Sequence, residues 1–256
     1  MENQVPSDAL ALPGAEVPPA LDHRQADEIC AVDAFAPLPE GVDICGILPA
    51  LLRYPGRVIY QLHQPGSARC LGARLMAIAV MCLGAYGVVV GSFSGAEQLW
   101  AAPLKIAAGS LFTAAICLPS FYVFACLGGA NEKLRLDSLA GLLMAVMSLS
   151  ALLLVSFAPI AWVFSQSTDS IALIASMHLL FWAIGLSFAL KLISVGARFL
   201  GILDRGYLLL WMGVFSLVSF QMMTALRPIV GRADHFLPTE KQFFLSHWIE
   251  MFAATR

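Results

Sequence analysis

The chain contains five long stretches in which apolar residues follow one another without any charged residue. They occupy residues 75–92, 106–127, 138–164, 170–190 and 206–226. At a helical rise of about 1.5 Å per residue, stretches of this length cross the roughly 30 Å hydrocarbon core of a bilayer. Helices are expected because lipid offers no hydrogen-bond partner to backbone N–H and C=O groups. The sequence therefore predicts an all-α integral membrane protein, with a bundle of five transmembrane helices within residues 72–226.

Two amphipathic segments flank the predicted bundle. In residues 44–71, apolar residues recur three and four positions apart, which is the spacing of one helix face. Arginines accompany that face, as they do in helices that lie in the lipid headgroup layer. A short helix packed on the protein's own cytoplasmic face is an equally good interpretation. Residues 227–256 are too polar to cross the membrane, and their aromatic residues predict an outer interfacial segment.

Composition agrees with membrane insertion. Of 256 residues, 59% are hydrophobic and 12% are charged, and the mean hydropathy is +0.78. These proportions leave too few polar side chains to cover a soluble domain. The charges are unevenly placed, because residues 1–43 hold nine of the 17 acidic residues and a single basic one, Arg24. With several prolines and no apolar period, residues 1–43 are predicted to form a disordered acidic tail.

Basic residues indicate the orientation of the predicted spans. One side of the spans is flanked by Arg53, Arg57, Arg69, Arg74, Lys133, Arg135, Lys191, Arg198 and Arg205. The first two loops on the other side contain Lys105 alone. Because cytoplasmic loops are enriched in Lys and Arg, the N-terminus is predicted to be cytoplasmic. An odd number of spans then places the C-terminus outside, although the basic residues after 226 run against the same rule.

Residues that carry chemistry in membranes are sparse. The interiors of the predicted spans contain no Asp, Glu, Lys or Arg, on which proton pumps and ion-coupled carriers depend. His178 is the only one of five histidines within a predicted span, so no haem held by two histidines is expected. The six cysteines have no zinc-like spacing, and there is no phosphate-binding glycine loop. We expect a protein without metal, cofactor or nucleic-acid partner that is not an enzyme.

Polar residues within the spans define a candidate ligand site. Ser156, His178 and Gln221 lie about 5 to 8 residues from the outer ends of their spans, roughly 8 to 12 Å deep. Three more polar residues fall at a compatible depth: Tyr86, Ser110 and Thr113. This layer predicts a site around His178 for a headgroup or a small polar ligand. Alternatively, these residues only join helix to helix, which contributes about 0.6 to 2 kcal/mol per pair.

Other residues are candidates for packing and lipid contact. Gly84, Gly87 and Gly91 lie in the first span and include a GxxxG spacing, which permits close backbone approach. They predict a helix-packing face, and a contact within the monomer is favoured over a dimer interface. Arg227 follows the last span and is a candidate headgroup contact, because its stem can follow the helix while the guanidinium reaches the headgroups.

Several motifs resemble those of a family of bacterial polytopic membrane proteins. They are FAPIAW at 157–162, HLLFW at 178–182, QMMTALRPIVG at 221–231 and FLPTEKQFF at 236–244. The resemblance covers about the last 100 residues and implies a multi-pass protein of the bacterial inner membrane. The family has no established activity, so no catalytic residue is transferred. The predicted topology is also similar to that of Yip1-type five-span proteins, which implies a role in membrane trafficking or shaping.

Two functional hypotheses follow. The first is a non-catalytic scaffold, assembly or membrane-organising factor, whose acidic tail recruits a cytoplasmic partner and whose bundle contacts lipid or another membrane protein. The second is a small permease or lipid-handling protein with its polar site around His178. Pro119 and Pro159 lie within predicted spans, where each removes a backbone hydrogen bond and predicts a kink that makes room for such a site.

Overall fold

The computed structural model describes residues 37–38, 43–64, 66–94, 96–130, 134–168, 170–202 and 204–225. All regular structure within them is helical. The helices are α1 (Ile44–Arg53), α2 (Pro55–His63), α3 (Ser67–Ser94), α4 (Ala96–Leu127), α5 (Leu136–Ser167), α6 (Ile171–Phe199) and α7 (Arg205–Ala225). Residues 1–36 and 226–256 lie outside the described part, and with them almost all of the predicted acidic tail, Arg227 and the predicted C-terminal segment.

The prediction of five transmembrane helices is confirmed. Within the described residues, α3 to α7 are each long and apolar enough to cross a membrane. The chain is therefore a multi-pass membrane protein. Short connections alternate between the two ends of the bundle. We name the end that carries α1, α2 and the connections at 128–135 and 200–204 the basic end, and the other end the opposite end.

α3, α4, α5 and α6 are longer than the uncharged stretches that predicted them, whereas α7 has the same length as its stretch. α3 begins at Ser67 instead of near residue 75, α4 begins at Ala96 instead of near 106, and α6 continues to Phe199 instead of ending near 190. Each predicted span begins directly after a charged residue, and the fourth and fifth also end directly before one. A helix in lipid continues past such a residue because its backbone groups still need partners, and a long basic side chain can extend along the helix.

α5 is the central helix of the bundle. It packs most extensively against α3 and α6, and it also contacts α4. Two-thirds of its most apolar 18-residue stretch is buried, the largest share among the five spans. The Ser148 hydroxyl lies 2.6 Å from the Leu75 carbonyl oxygen of α3 and 2.7 Å from the Met144 carbonyl of its own helix. Gly72 and Gly141 face each other at the same interface, so small residues bring α3 and α5 close together.

α7 is held mainly through α4. Phe121 of α4 stacks on Trp211 of α7 with the ring centroids 4.1 Å apart, and Trp211 in turn stacks on Phe215. The Trp211 Nε1–H donates a hydrogen bond to the Ser120 hydroxyl oxygen at 3.1 Å. This polar contact satisfies the indole N–H, which would otherwise be buried without a partner. The stack therefore fixes α7 against α4, and α7 also contacts α6.

α1 and α2 lie on the basic end of the bundle. They place one apolar face inward, formed by Ile47, Leu51, Val58, Ile59 and Leu62, all buried. The Leu62 side chain fills the space above Gly141 of α5. Leu52, Arg53 and Tyr54 remain exposed where α1 meets α2. Of the two interpretations of residues 44–71, the structure thus shows packing on the protein's own surface, and it leaves an apolar and basic edge outside.

Candidate functional site

His178 lies near the opposite end of α6 and pairs with Tyr86 of α3. The Tyr86 hydroxyl oxygen and His178 Nδ1 are 2.6 Å apart, and the two rings meet edge to face. Tyr86 is fully buried and His178 is 6% exposed. When the Tyr86 O–H donates to Nδ1, the imidazole proton lies on Nε2. The pair joins α3 to α6, whose backbones make at most a marginal contact.

The structure does not bring Ser156 to His178. Ser156 lies on an exposed face of α5, and its hydroxyl donates to the Leu152 carbonyl of its own helix at 2.8 Å. Gln221 lies half-buried on α7. Depth along a helix predicts the layer that a residue occupies, but the direction in which its side chain points depends on how the helix is rotated in the bundle.

Lys105 is a buried charged residue that the sequence did not predict, and Ser219 is a buried hydroxyl that it did not predict. The sequence predicts Lys105 in a loop and predicts span interiors without Lys, and both predictions are wrong. In the structure Lys105 belongs to α4 within the candidate span Leu99–Leu127, and its side chain is only 1% exposed. It lies about 9 Å along the helix axis from Leu99. The available signal was the apolar run from Leu99 to Leu104, which continues the second span backward through the lysine.

Lys191 is also within a span, but in a different environment. It lies on the exposed side of α6 toward the basic end, with its Nζ 5.1 Å from the centroid of the Phe188 ring. A lysine there can direct its ammonium group to the headgroup region, as basic side chains near helix ends do. Lys105 and Lys191 therefore differ in burial, and Lys105 is the one enclosed by protein.

Lys105 lines a cleft between four helices, α4, α5, α6 and α7. The other lining residues are Ile106, Gly109, Ser110 and Thr113 of α4, Met147 of α5, Trp182 of α6, and Ser219, Met222 and Met223 of α7. Among these described lining residues there is one cation and no acid. The cleft therefore combines a positive charge and three hydroxyls with a flexible apolar wall.

The hydroxyls of the cleft have defined roles. Ser110 donates to the Ile106 carbonyl at 2.9 Å, Thr113 to the Gly109 carbonyl at 2.9 Å, and Ser219 to the Phe215 carbonyl at 2.8 Å. Because each proton is bonded within its own helix, the hydroxyl oxygens offer the cleft acceptors. Lys105 supplies N–H donors, since an ammonium group carries three of them and no acceptor.

The pair and the cleft lie at nearly the same depth. A Cβ atom at Gly87 would collide with the Pro103 backbone, so α3 and α4 touch at these residues. Tyr86 precedes Gly87, and Lys105 follows Pro103 by two residues on the antiparallel helix. Both are therefore displaced from the contact toward the basic end, within about 2 Å of each other along the axis. His178 precedes the cleft residue Trp182 by about one helical turn.

The three predicted packing glycines have different surroundings. Gly87 lies against Pro103, and Gly91 is buried. A Cβ atom at Gly84 would meet no other atom within 4 Å. The close approach of α3 to α4 is thus made at Gly87, within the monomer.

The described residues contain no group of three or more His, Cys, Asp and Glu arranged to hold a metal ion. The cysteines whose side chains are described, Cys70, Cys82, Cys117 and Cys126, are free thiols. Comparisons of the chain with known protein families, with curated proteins and with solved structures find no match. The candidate site is therefore defined by its own geometry.

Proposed function

We propose that this protein binds a small polar or amphipathic ligand in the cleft between α4, α5, α6 and α7, as a lipid-handling protein or a small permease. The observation that supports this function is the grouping of Lys105, Ser110, Thr113 and Ser219 around a cleft within membrane-spanning helices. Enclosing a lysine among apolar helices is unfavourable, and such residues mark ligand or ion pathways in membrane proteins. Tyr86 and His178 brace the bundle at the same depth.

Filling the cleft tests this function. Ser219→Leu adds apolar volume to the cleft wall, whereas Ser187→Leu makes the same change on an exposed face of α6. Each variant is extracted from its native membrane into polymer-bounded nanodiscs, and retained small molecules are identified by mass spectrometry. We expect the parent protein and Ser187→Leu to retain a molecule that Ser219→Leu loses. Equal retention by all three proteins, or none by the parent, would exclude the cleft as a binding site.

The scaffold hypothesis depends on residues 1–43, nearly all of which lie outside the described residues, so it stays a prediction from sequence. The resemblance to bacterial polytopic membrane proteins is likewise a prediction. It is the basis for placing this chain in the bacterial inner membrane.

We further propose that the basic end faces the cytoplasm, with the N-terminus inside and the C-terminus in the periplasm. The distribution of Lys and Arg supports this orientation. Green fluorescent protein fused after residue 131 is then expected to fluoresce, and alkaline phosphatase fused after residue 169 to be active. The reverse pattern would show that the bundle has the opposite orientation, with the cleft in the cytoplasmic leaflet.

A further inference from the structure

We infer that the bend between α1 and α2 binds anionic phospholipid in the leaflet at the basic end of the bundle. We name residues 52–57 the elbow, which contains the end of α1, Tyr54 and the start of α2. Its apolar residues lie among the upper acyl chains, and its arginines bind lipid phosphates. The elbow is separate from the cleft, so this inference goes beyond the proposed function and does not depend on it.

α1 is apolar on its outer face as well as on its inner face. Its first nine residues, ICGILPALL, contain no charged residue, and Arg53 ends the helix. Ile47 and Leu51 are buried, whereas Ile44 is 38% exposed and Leu52 is 54% exposed. A helix that is apolar all round needs apolar surroundings on every side, and ten residues cover only about 15 Å, too little to cross a membrane. α1 therefore fits a position along the membrane surface, with its outer face in lipid.

The position of α2 places the elbow at the level of the headgroups. Tyr60 and His63 of α2 meet the ring of Phe199, the last residue of α6, edge to face. Lys191 lies on the exposed side of α6 eight residues before that end, and Arg74 lies exposed on α3 seven residues after its start. Because charged residues are unfavourable in hydrocarbon, the hydrocarbon core ends close to these two residues. The roughly 10 to 12 Å of helix beyond them, with α2 alongside, therefore lies in the headgroup layer.

The elbow carries positive charge in a segment without acidic residues. Residues 44–96 contain four arginines and no Asp or Glu, and Asp43 precedes α1 at the end away from the elbow. Arg53 is exposed, and the Arg57 guanidinium carbon lies 5.0 Å from the centroid of the Tyr54 ring. Guanidinium groups form paired hydrogen bonds with phosphate oxygens, and tyrosine is enriched at the headgroup level of membrane proteins. A headgroup with net negative charge therefore matches the elbow better than phosphatidylcholine, whose positive group the arginines repel.

Phospholipid matches both features of the elbow at once. Leu52 and Arg53 are adjacent and both exposed, so an apolar group and a charged group leave the protein at one place. In a bilayer, acyl chains and phosphates form adjacent layers, and a helix along the surface contacts both. An acidic protein segment would pair with Arg53 but leave the outer face of α1 uncovered. A second copy of the elbow would bring like charges together.

Tryptophan fluorescence in the full chain tests lipid contact at the elbow. Tyr54→Trp is made in a protein whose five native tryptophans are replaced by phenylalanine, and this protein is reconstituted in bilayers. Lipid brominated on its upper acyl chains quenches a fluorophore that it contacts, and iodide quenches one that faces water. We expect strong quenching by brominated lipid and weak quenching by iodide. Quenching by iodide alone would mean that the elbow faces water, and protection from both would mean that protein covers it. Either result would overturn the inference.

The same probe measures which headgroup lies at the elbow. In equal mixtures of phosphatidylglycerol and phosphatidylcholine, the bromine is carried by one lipid or by the other, so quenching reports the lipid next to residue 54. We expect phosphatidylglycerol to be enriched at least about fivefold, which is the effect of one basic residue at an anionic surface. Equal quenching by the two brominated lipids would contradict an anionic site.

Two arginine substitutions form the matched pair, because both remove one positive charge at the basic end. Arg53 is exposed at the elbow, whereas the Arg135 guanidinium donates to the Asp137 carboxylate in an exposed ion pair. Arg53→Gln is expected to lower the enrichment of phosphatidylglycerol about fivefold, and Arg135→Gln less than about twofold. Equal reductions would show a response to the total charge of the basic end and would overturn the site at the elbow.

The chain with its native tryptophans gives a second measurement, which decides if the single-tryptophan protein does not fold. Parent protein, Arg53→Gln and Arg135→Gln are delipidated stepwise from equal mixtures of the two lipids, and retained lipid is counted by native mass spectrometry. We expect only Arg53→Gln to lower the ratio of phosphatidylglycerol to phosphatidylcholine. An unchanged ratio in Arg53→Gln would contradict the inference, while binding in the cleft is measured separately through Ser219→Leu.

Discussion

Single residues in this bundle act mainly by satisfying one another's polar groups. Tyr86 and His178 show this most clearly, because their hydrogen bond spans two helices that otherwise contact each other little. Both side chains are buried, so the loss of one partner leaves a buried polar group of the other without this hydrogen bond. The pair therefore contributes to the position of α6 relative to α3 as well as to stability.

Tyr86→Phe is expected to destabilise the bundle by about 0.6 to 2 kcal/mol, because it removes one interhelical hydrogen bond and leaves His178 Nδ1 without this partner. The free energy of unfolding is measured by titrating detergent-solubilised protein with sodium dodecyl sulfate. Tyr122→Phe is the control, since Tyr122 is 37% exposed on α4. Equal stability of the two variants would show that the 2.6 Å contact contributes nothing.

The candidate site could be predicted from the sequence only in part. His178 and Tyr86 were placed at a common depth by counting along apolar stretches, and the structure joins them. Ser156 was placed in the same layer but points away, because a single sequence does not determine how each helix is rotated in the bundle. The sequence places Lys105 in a loop because a charged residue marks the start of the predicted span, whereas in the structure α4 includes it.

Pairs of helices are set in register by small residues. The contact of Gly87 with Pro103 is the tightest example, because no side chain separates the two backbones. It fixes the relative height of α3 and α4, and with it the height of Tyr86 relative to Lys105. A substitution at this contact is therefore expected to change the position of Lys105 in the cleft.

Gly87→Ala is expected to destabilise the α3–α4 pair by about 1 to 3 kcal/mol, because its Cβ atom would overlap the Pro103 backbone, which cannot move aside as a flexible side chain can. Gly84→Ala is the matched control three residues away, where a Cβ atom meets open space. Its stability should be unchanged or slightly higher, since alanine favours the helix. Thermal unfolding in detergent, followed by circular dichroism, compares them. A Gly87→Ala protein as stable as Gly84→Ala would contradict this packing.

The number and order of the membrane helices could be predicted from the sequence, because twenty or so apolar residues admit few other structures in lipid. Their ends could not. α6 carries Lys191 and Arg198 within its length, and α3 carries Arg69 and Arg74. Hydropathy records the charge of these residues but not the direction of their long side chains, so the predicted spans begin too late in α3 and α4 and end too early in α6.

At the scale of the whole molecule, the bundle has a wide apolar perimeter. Exposed apolar residues occur on all five spans, and Trp162 of α5 is 47% exposed near the opposite end. Trp211 of α7 is fully buried against α4. If the bundle is surrounded by acyl chains, these two indoles differ sharply in their access to lipid.

Brominated lipids test that difference. Single-tryptophan variants that keep only Trp162 or only Trp211, with the other tryptophans replaced by phenylalanine, are reconstituted in bilayers of brominated phosphatidylcholine. Bromine quenches only fluorophores that it contacts, so Trp162 fluorescence should fall strongly while Trp211 fluorescence persists. Strong quenching of Trp211 would mean that α7 is not packed against α4 as described.

The cleft also has a consequence for biosynthesis. Its walls come from four helices, and α7, which supplies Ser219, Met222 and Met223, follows the other three in the chain. A nascent chain therefore inserts α4, with Lys105, while α7 is still in the ribosome. Until α7 arrives, the lysine borders lipid or the aqueous interior of the translocon, and exposure to lipid costs a few kcal/mol. A polypeptide halted before residue 204 would remain at that unfinished stage, and quality-control proteases would be expected to remove it.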